Sequence, residues 1–354
     1  MSLNRLLLIA PFAATLLLYL AVRSSGESLP AFPRLSTSDT SVDEIIKNRT
    51  LGFRKILGLN LPERLDKHDT LSLLGRLTGV DISLLPGVRS STERGMPRPY
   101  NGAAEKHIGA IRSHMNAYQK MLDEDWKSAL ILEDDTDWDI NFVDSLRLFR
   151  QGLVHFIAQN STIVPTPNDP WCSEAWDVLF LGWCLEGTPN DAYVYEDPYT
   201  PFVDRCLEAT LQIFEYANLS LPTPDSPSGH RIIQKSRSPV CSWSYAISQR
   251  GAAKVLYSTT RQVSDPLDIT LANMVEKNRL RAYTVVPPLT GVFSRRHKGD
   301  EGYTDSDIEA PRRRFDEGND EFWSRPANMR TGVLESMHRL LWPEIEEQEG
   351  GYPG

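Results

Sequence analysis

Residues 128–135, Ser-Ala-Leu-Ile-Leu-Glu-Asp-Asp, join an unbroken apolar run to three adjacent carboxylates. Ala129-Leu130-Ile131-Leu132 has no polar interruption, which suits a strand covered on both faces of a sheet. Such a strand needs helical layers above and below it, so the run points to an α/β fold. Glu133, Asp134 and Asp135 then stand at its carboxyl end. In open α/β sheets, ligands bind beyond the carboxyl ends of the strands. Three acids so close together repel one another strongly unless a cation or water neutralises them.

Oxygen-only ligands select a hard divalent ion, Mn²⁺ or Mg²⁺, and such ions characteristically hold substrate phosphates. The triplet is therefore a candidate metal–diphosphate site. If strand alternation persists through it, Glu133 and Asp135 share one face and Asp134 points to the other. On that pattern Glu133 and Asp135 are candidate metal ligands, and Glu133 and Asp134 candidate donor-binding groups. The competing reading is a solvated acidic loop that caps a helix, because Asp137 and Asp139 follow closely.

The chain of 354 residues can hold one large domain or two small ones. Its formal net charge of -9, without a basic block, argues against a nucleic-acid partner. A glycine-rich nucleotide loop is also missing from the sequence. Residues 6–22 form an uncharged run of about 17 residues, near the lower limit for a membrane-spanning helix. Arg5 and Arg23 flank it and Pro11 interrupts it. We expect an uncleaved signal anchor over 1–23, with the amino terminus cytoplasmic and the remainder lumenal. A removed signal peptide is the alternative, with Ser24-Ser25-Gly26 as its cleavage site.

Acceptor sequons begin at Asn48, Asn160 and Asn218, in keeping with passage through the secretory pathway. The four cysteines, Cys172, Cys184, Cys206 and Cys241, permit two disulfides; four buried thiols are the other possibility. Without a Cys-x-x-Cys pair, a zinc or redox motif is not expected.

Along the chain, residues 24–50 read as a flexible stem rich in Ser, Thr, Asp and Pro. Strands are expected at 55–60, from Ser128 into the acidic triplet, and at 177–182, 242–248 and 282–286. Helices are expected near 63–77, 207–217 and 249–257, with Ser248 as the cap of the last and a further helix opening at Asp265-Pro266. Ile108, Ile111, Met115, Tyr118 and Leu122 recur at helical steps, the mark of one buried stripe. Strands alternating with helices predict a mostly parallel central sheet flanked by helices. Residues 186–231 form a long irregular stretch, and 311–354 a charged tail.

Several segments, taken in order, resemble glycosyltransferase family 25, the lipopolysaccharide and collagen galactosyltransferase group. The matching pieces are Asn60-Leu61 with Glu63-Arg64, Ile108-Gly109 with Ser113-His114, and Leu132-Glu-Asp-Asp135. They continue with 177–182, Tyr245-Ala-Ile-Ser248 with Gly251-Ala252, 265–268, and Ser306-Asp-Ile308. The spacing of Glu133 and Asp135 is similar to the outer acids of the Asp-x-Asp signature of sugar-nucleotide transferases. Ala110 stands where the family usually has a cysteine, and the 186–231 stretch lies outside the family pattern.

The resemblance, to a membrane-anchored member of fungal type, implies a GT-A-like catalytic domain over 51–310 that uses Mn²⁺ (or Mg²⁺). It implies a nucleotide-sugar donor, UDP-galactose favoured, and a glycan or glycoprotein acceptor. The expected location is the Golgi or secretory-pathway membrane, single-pass type II, with the catalytic domain lumenal. It also places Asp265 and Asp268 on the acceptor side, as candidates to take the acceptor's proton. Both acids equally suit the start of a helix, Asp265 as N-cap and Asp268 as an acid favouring the dipole. Asn60 and Arg64 stand where such domains place base and ribose, although Arg64 could instead pair with a nearby acid.

His114 is either a donor contact or a hydrogen-bonded packing residue. His297, after Arg295-Arg296, is a further candidate metal ligand or diphosphate contact; with Lys298 these cations read equally as a solvated loop. Trp171, Trp176, Trp183 and Trp243 suit core packing better than sugar stacking. Two other classes compete with a transferase. One is a glycan-binding scaffold without turnover, and the other a metal-dependent phosphohydrolase built on the same carboxylates.

Overall fold

The computed structural model describes residues 40–90, 107–201, 207–219, 229–293, 332–334 and 336. The expected anchor, His297 with its neighbouring cations, Cys206 and the 306–308 segment lie outside these. Among the described residues no helix is long and apolar enough to cross a membrane.

The elements are α1 (Thr40–Ile46), β1 (Lys55–Asn60), α2 (Leu65–Thr78), β2 (Ile82–Pro86), α3 (Ile108–Asp123) and β3 (Ser128–Glu133). β4 (Thr136–Trp138), α4 (Phe142–Ala158), β5 (Val178–Gly182), β6 (Ala192–Glu196), α5 (Leu207–Tyr216) and β7 (His230–Lys235) follow. The remainder are β8 (Ser244–Ser248), α6 (Gln249–Arg261), α7 (Leu267–Glu276), β9 (Ala282–Val286) and β10 (Thr290–Val292). α1 takes up part of the stretch read as stem and buries Val42 and Ile46.

An eight-stranded sheet runs in the order β2-β1-β3-β8-β5-β9-β7-β6. β1 pairs in parallel with β2 and β3, and β5 with β9. The β3–β8, β8–β5, β9–β7 and β7–β6 pairings are antiparallel. The sheet is thus mixed where a mostly parallel one was expected. The antiparallel pairings all come from β7 and β8, which run against their neighbours β9 and β6, and β3 and β5, while the other six strands share one direction.

Strand alternation divides the core between the two faces of β3. Ala129 and Ile131 pack in the layer of α3, α6 and α7, with Met115, Tyr118, Val255 and Leu271. Leu130 and Leu132 pack on the opposite face, with Leu71 and Leu74 of α2 and with Leu146, Phe149 and Leu153 of α4. All four strand residues are wholly buried, as their unbroken apolar run required. The α3 stripe is rotated from the expected one: Ala117 and Met121 turn inward, and Leu122 is left exposed.

Ser248 caps α6 as expected, its hydroxyl accepting from the Gly251 amide at 3.1 Å. Glycine is required at 251 because a Cβ there would collide with the Asp177 carbonyl. At α7 the expected cap is displaced. Pro266 holds the cap position and Asp265 lies one residue outside the helix, so Asp265 does not cap it. The acidic stretch after β3 is no solvated loop either. Asp137 and Asp139 are buried, and β4 pairs antiparallel with β10.

Far from β3, Arg231 of β7 and Asp197 form a wholly buried ion pair at 2.6 Å. Arg231 also donates to the carbonyls of Pro287 and Pro288, at 2.6 and 2.9 Å. Asp197 accepts from the Tyr199 amide and the Ser145 hydroxyl on its other oxygen. With so many partners, removal of the acid strands a desolvated guanidinium. Asp197→Ala should cost about 3–5 kcal/mol in a denaturant titration, and a loss under about 1 kcal/mol would contradict that account.

Candidate functional site

The three carboxylates leave β3 in three directions. Glu133 is the last strand residue, and Asp134 and Asp135 form the turn into β4, so alternation stops at the first acid. Glu133 continues the Ala129–Ile131 face toward α3, where its Oε1 lies 3.8 Å from His114 Nε2. Asp134 continues the opposite face toward α2. It accepts from Lys67 Nζ at 2.8 Å and from Asn60 Nδ2 at 3.2 Å. Asp135 follows in the turn, half-buried, with its carbonyl accepting from the Phe293 amide at 2.6 Å. Its side-chain Oδ1 is shut off from solvent and has no hydrogen-bond partner.

Charge explains the state of these groups. Burial pushes the Asp135 carboxyl up to about 7; Lys67 opposes the rise, and Glu133 and Asp134 add to it. Burial works against the Lys67 ammonium, but Asp135 and Asp134 outweigh it and hold the lysine above its ordinary value. An enclosed carboxylate oxygen crowded by acids and lacking a donor is an opening for a cation. Among the described residues no three His, Cys, Asp or Glu side chains gather into a ligand cage. A magnesium-type ion needs no such cage, since one or two carboxylates and substrate phosphates commonly suffice. The open Oδ1 of Asp135 fits that smaller requirement.

The remaining candidates fall around this turn unequally. Asn60 is buried and bridges Asp134 to the Arg64 carbonyl at 3.2 Å. Arg64 grips Asp66 through two bonds, at 3.0 and 2.9 Å, which pulls the Asp66 carboxyl down to about 2. His114 is buried, with Nδ1 2.7 Å from the Tyr245 hydroxyl and Nε2 turned to Glu133. Both ring nitrogens therefore face protein groups. Asp268 accepts from its neighbour Ile269 N at 2.8 Å and from Cys241 N at 3.2 Å. Asp265 accepts from the Ser264 hydroxyl at 2.9 Å.

Cys241 links Asp268 to the acidic turn. It is disulfide-bonded to Cys184, just beyond β5, and starts the segment that enters β8. Two residues on, the Trp243 carbonyl accepts from Glu133 N at 2.8 Å and Thr136 Oγ1 at 2.7 Å. Closing a loop of 57 residues constrains the unfolded chain by about 4 kcal/mol, and here it also fixes the rim of the site. Trp171, Trp176 and Trp183 are wholly buried, as core packing predicts. Trp243 is half-buried on the rim, packed so tightly on Gly182 that a Cβ there would strike its ring.

Lys67 is the site residue that sequence reasoning missed. A signal was present: it stands in the first turn of α2, where the helix dipole disfavours a cation. Tyr245 and Tyr118 were legible only as apolar-face residues, because nothing in their spacing reports a shared hydrogen bond.

No protein-family model matches the chain, and no curated protein matches it significantly.

The enclosed Asp135 carboxyl carries a pH signature. Between the ordinary value of 3.8 and about 7, the folded chain keeps a proton there that the unfolded chain has released. Stability of the metal-free protein therefore falls as pH rises through that window. In chelator near pH 8, Asp135→Asn should be more stable than the native chain by about 1–3 kcal/mol, and the gain should vanish near pH 4. Denaturant titrations at both pH values check this; a less stable variant at the higher pH would contradict it.

Proposed function

We propose that the chain is a metal-dependent glycosyltransferase with a GT-A-like domain. It moves a hexose, galactose favoured, from a nucleotide sugar to a hydroxyl on a glycan or glycoprotein in the secretory pathway. The observation that carries this reading is the partnerless, enclosed Oδ1 of Asp135 at the carboxyl end of the central strand. The ordered resemblance of the surrounding segments to glycosyltransferase family 25 supports the same reading. The α/β sheet supports it too, since the end of β1 at Asn60 meets the acidic turn at the end of β3.

On this reading Glu133 and Asp135 would hold Mn²⁺ or Mg²⁺. The ion would supply charge stabilisation for a departing nucleoside diphosphate. Lys67 and Asn60 fix Asp134, and so hold the turn in place before any donor arrives. Trp243 offers a half-buried aromatic face on the rim. Of the two acids proposed to accept the acceptor's proton, Asp265 is the less occupied, since Asp268 has both oxygens on backbone amides. His297 remains a proposed further ligand, from its place in the sequence after Arg295 and Arg296. The 6–22 segment is the proposed membrane anchor, with the catalytic domain in the Golgi lumen.

The test uses the full-length protein, a panel of nucleotide sugars, and Mn²⁺ against chelator. The expected result is Mn²⁺-dependent release of nucleoside diphosphate with transfer to a sugar acceptor. Asp135→Ala should lower it on the order of 100-fold or more while the fold persists. Undiminished turnover in that variant would sink the metal assignment. Release of inorganic phosphate from monoesters would instead indicate a phosphohydrolase, and glycan binding without turnover a scaffold.

A further inference from the structure

The core on the α3 side contains a chain of polar groups that packing does not require. Tyr118 of α3, Tyr245 of β8 and His114 of α3 are all buried. The Tyr118 and Tyr245 hydroxyls are in direct hydrogen-bond contact, and the Tyr245 hydroxyl is 2.7 Å from His114 Nδ1. His114 Nε2 then faces Glu133 Oε1 at 3.8 Å. The string leads from inside the hydrophobic layer to the acid at the strand end.

We infer that Tyr118, Tyr245 and His114 are positioning residues that act in one fixed direction: each phenol donates toward His114 Nδ1, and the ring presents its Nε2–H to Glu133. The inference rests on the proposed metal-binding role of Glu133 and deepens it.

Hydrogen-bond accounting sets the direction. Tyr245 has one hydrogen and two neighbours, so it donates either to His114 or to Tyr118. If it donates to His114, Tyr118 donates to it, and both phenol hydrogens have a partner. If it donates to Tyr118, the Tyr118 hydrogen is left over. Among the described residues Tyr118 has no other hydrogen-bond partner, so that hydrogen would be buried and unsatisfied. The reversed string also turns a ring lone pair toward the Glu133 carboxylate, an unfavourable approach. Two independent costs therefore select the same direction.

Burial keeps both phenols protonated, and so keeps both donors in place. It raises both hydroxyls, that of Tyr245 with help from Tyr118 and Glu133. Neighbours that orient a ligating carboxylate or its partner commonly contribute 10–100-fold to metal affinity. The string is such an arrangement, one side chain removed from the ion.

The experiment measures two quantities on the full-length protein. ¹⁵N NMR of the metal-free native chain reads the His114 tautomer; the expected species bears hydrogen on Nε2 alone. Calorimetric titration with Mn²⁺ and a nucleoside diphosphate, without acceptor or turnover, reads affinity. Tyr245→Phe keeps the ring and removes only the hydroxyl, and should weaken Mn²⁺ binding about 10-fold or more. His114→Ala should do the same, whereas His114→Gln, which keeps a donor in reach of Glu133, should recover part of the loss. Thermal unfolding of each variant identifies any that misfold, and the native-chain NMR result stands whatever they do.

A native ring protonated on Nδ1, or on both nitrogens, overturns the inference. So does Mn²⁺ affinity unchanged in a folded Tyr245→Phe. If the native chain itself takes up no Mn²⁺, the metal reading of the site fails, while the NMR spectrum still decides the direction of the string.

Discussion

Three carboxylates must be accommodated where a strand covered on both faces comes to an end, and the architecture around β3 follows from that requirement. Like charges at this spacing cannot all remain ionised in a poorly solvated turn unless each finds a different environment. The chain separates them by geometry. Glu133, the last strand residue, faces His114 of α3, Asp134 in the turn reaches Lys67 of α2, and Asp135 follows it in the turn. Lys67 serves the second and opposes the strain on the third. A lysine in the first turn of a helix sacrifices a little helix stability, so its gain must lie in this contact.

The antiparallel insertion of β8 matters for the same reason. Because β8 runs against β3, its first residues lie beside the last residues of β3. The 241–243 segment therefore reaches the acids directly, through the Trp243 carbonyl on the Glu133 amide. A parallel strand in that place would have put its end there instead, and the Cys184–Cys241 bond and the Asp268 contact would have had no route to the turn. Tyr245, the second residue of β8, reaches His114 for the same topological reason.

Much of this was legible in the sequence. The strands 55–60 and 282–286 match β1 and β9 residue for residue, and the run from Ser128 gives β3, because each is an apolar run with a clear stop. Ser248 capped its helix as its chemistry predicts. What stayed hidden falls into two kinds. Some signals were present but unread, such as Phe142, Leu146, Phe149, Leu153 and Phe156, whose helical spacing marks α4. Others are non-local. The pairing of Thr136–Trp138 with Thr290–Val292 joins segments far apart in the chain, and no short-range pattern reports it. The same holds at the site: the Glu133–Asp135 triplet announces itself, whereas Lys67, Tyr118 and Tyr245 acquire their roles only when the sheet brings them together.

The other buried acids of this fold show what a closed structural cluster looks like. Asp177 has Arg250 on one oxygen, and Lys254 with the Arg281 amide on the other. Asp197 divides its oxygens between Arg231 and the Ser145–Tyr199 pair. Glu186 accepts from three backbone amides on one oxygen and from Thr284 on the other. In each case both oxygens are satisfied by the chain itself, and nothing further is needed. Asp135 lacks this completion on Oδ1 although donors were available to the fold elsewhere. A buried acceptor left open costs about 1–3 kcal/mol. Proteins keep such a defect chiefly where a ligand repairs it, and the ligand that repairs a carboxylate among carboxylates is a cation.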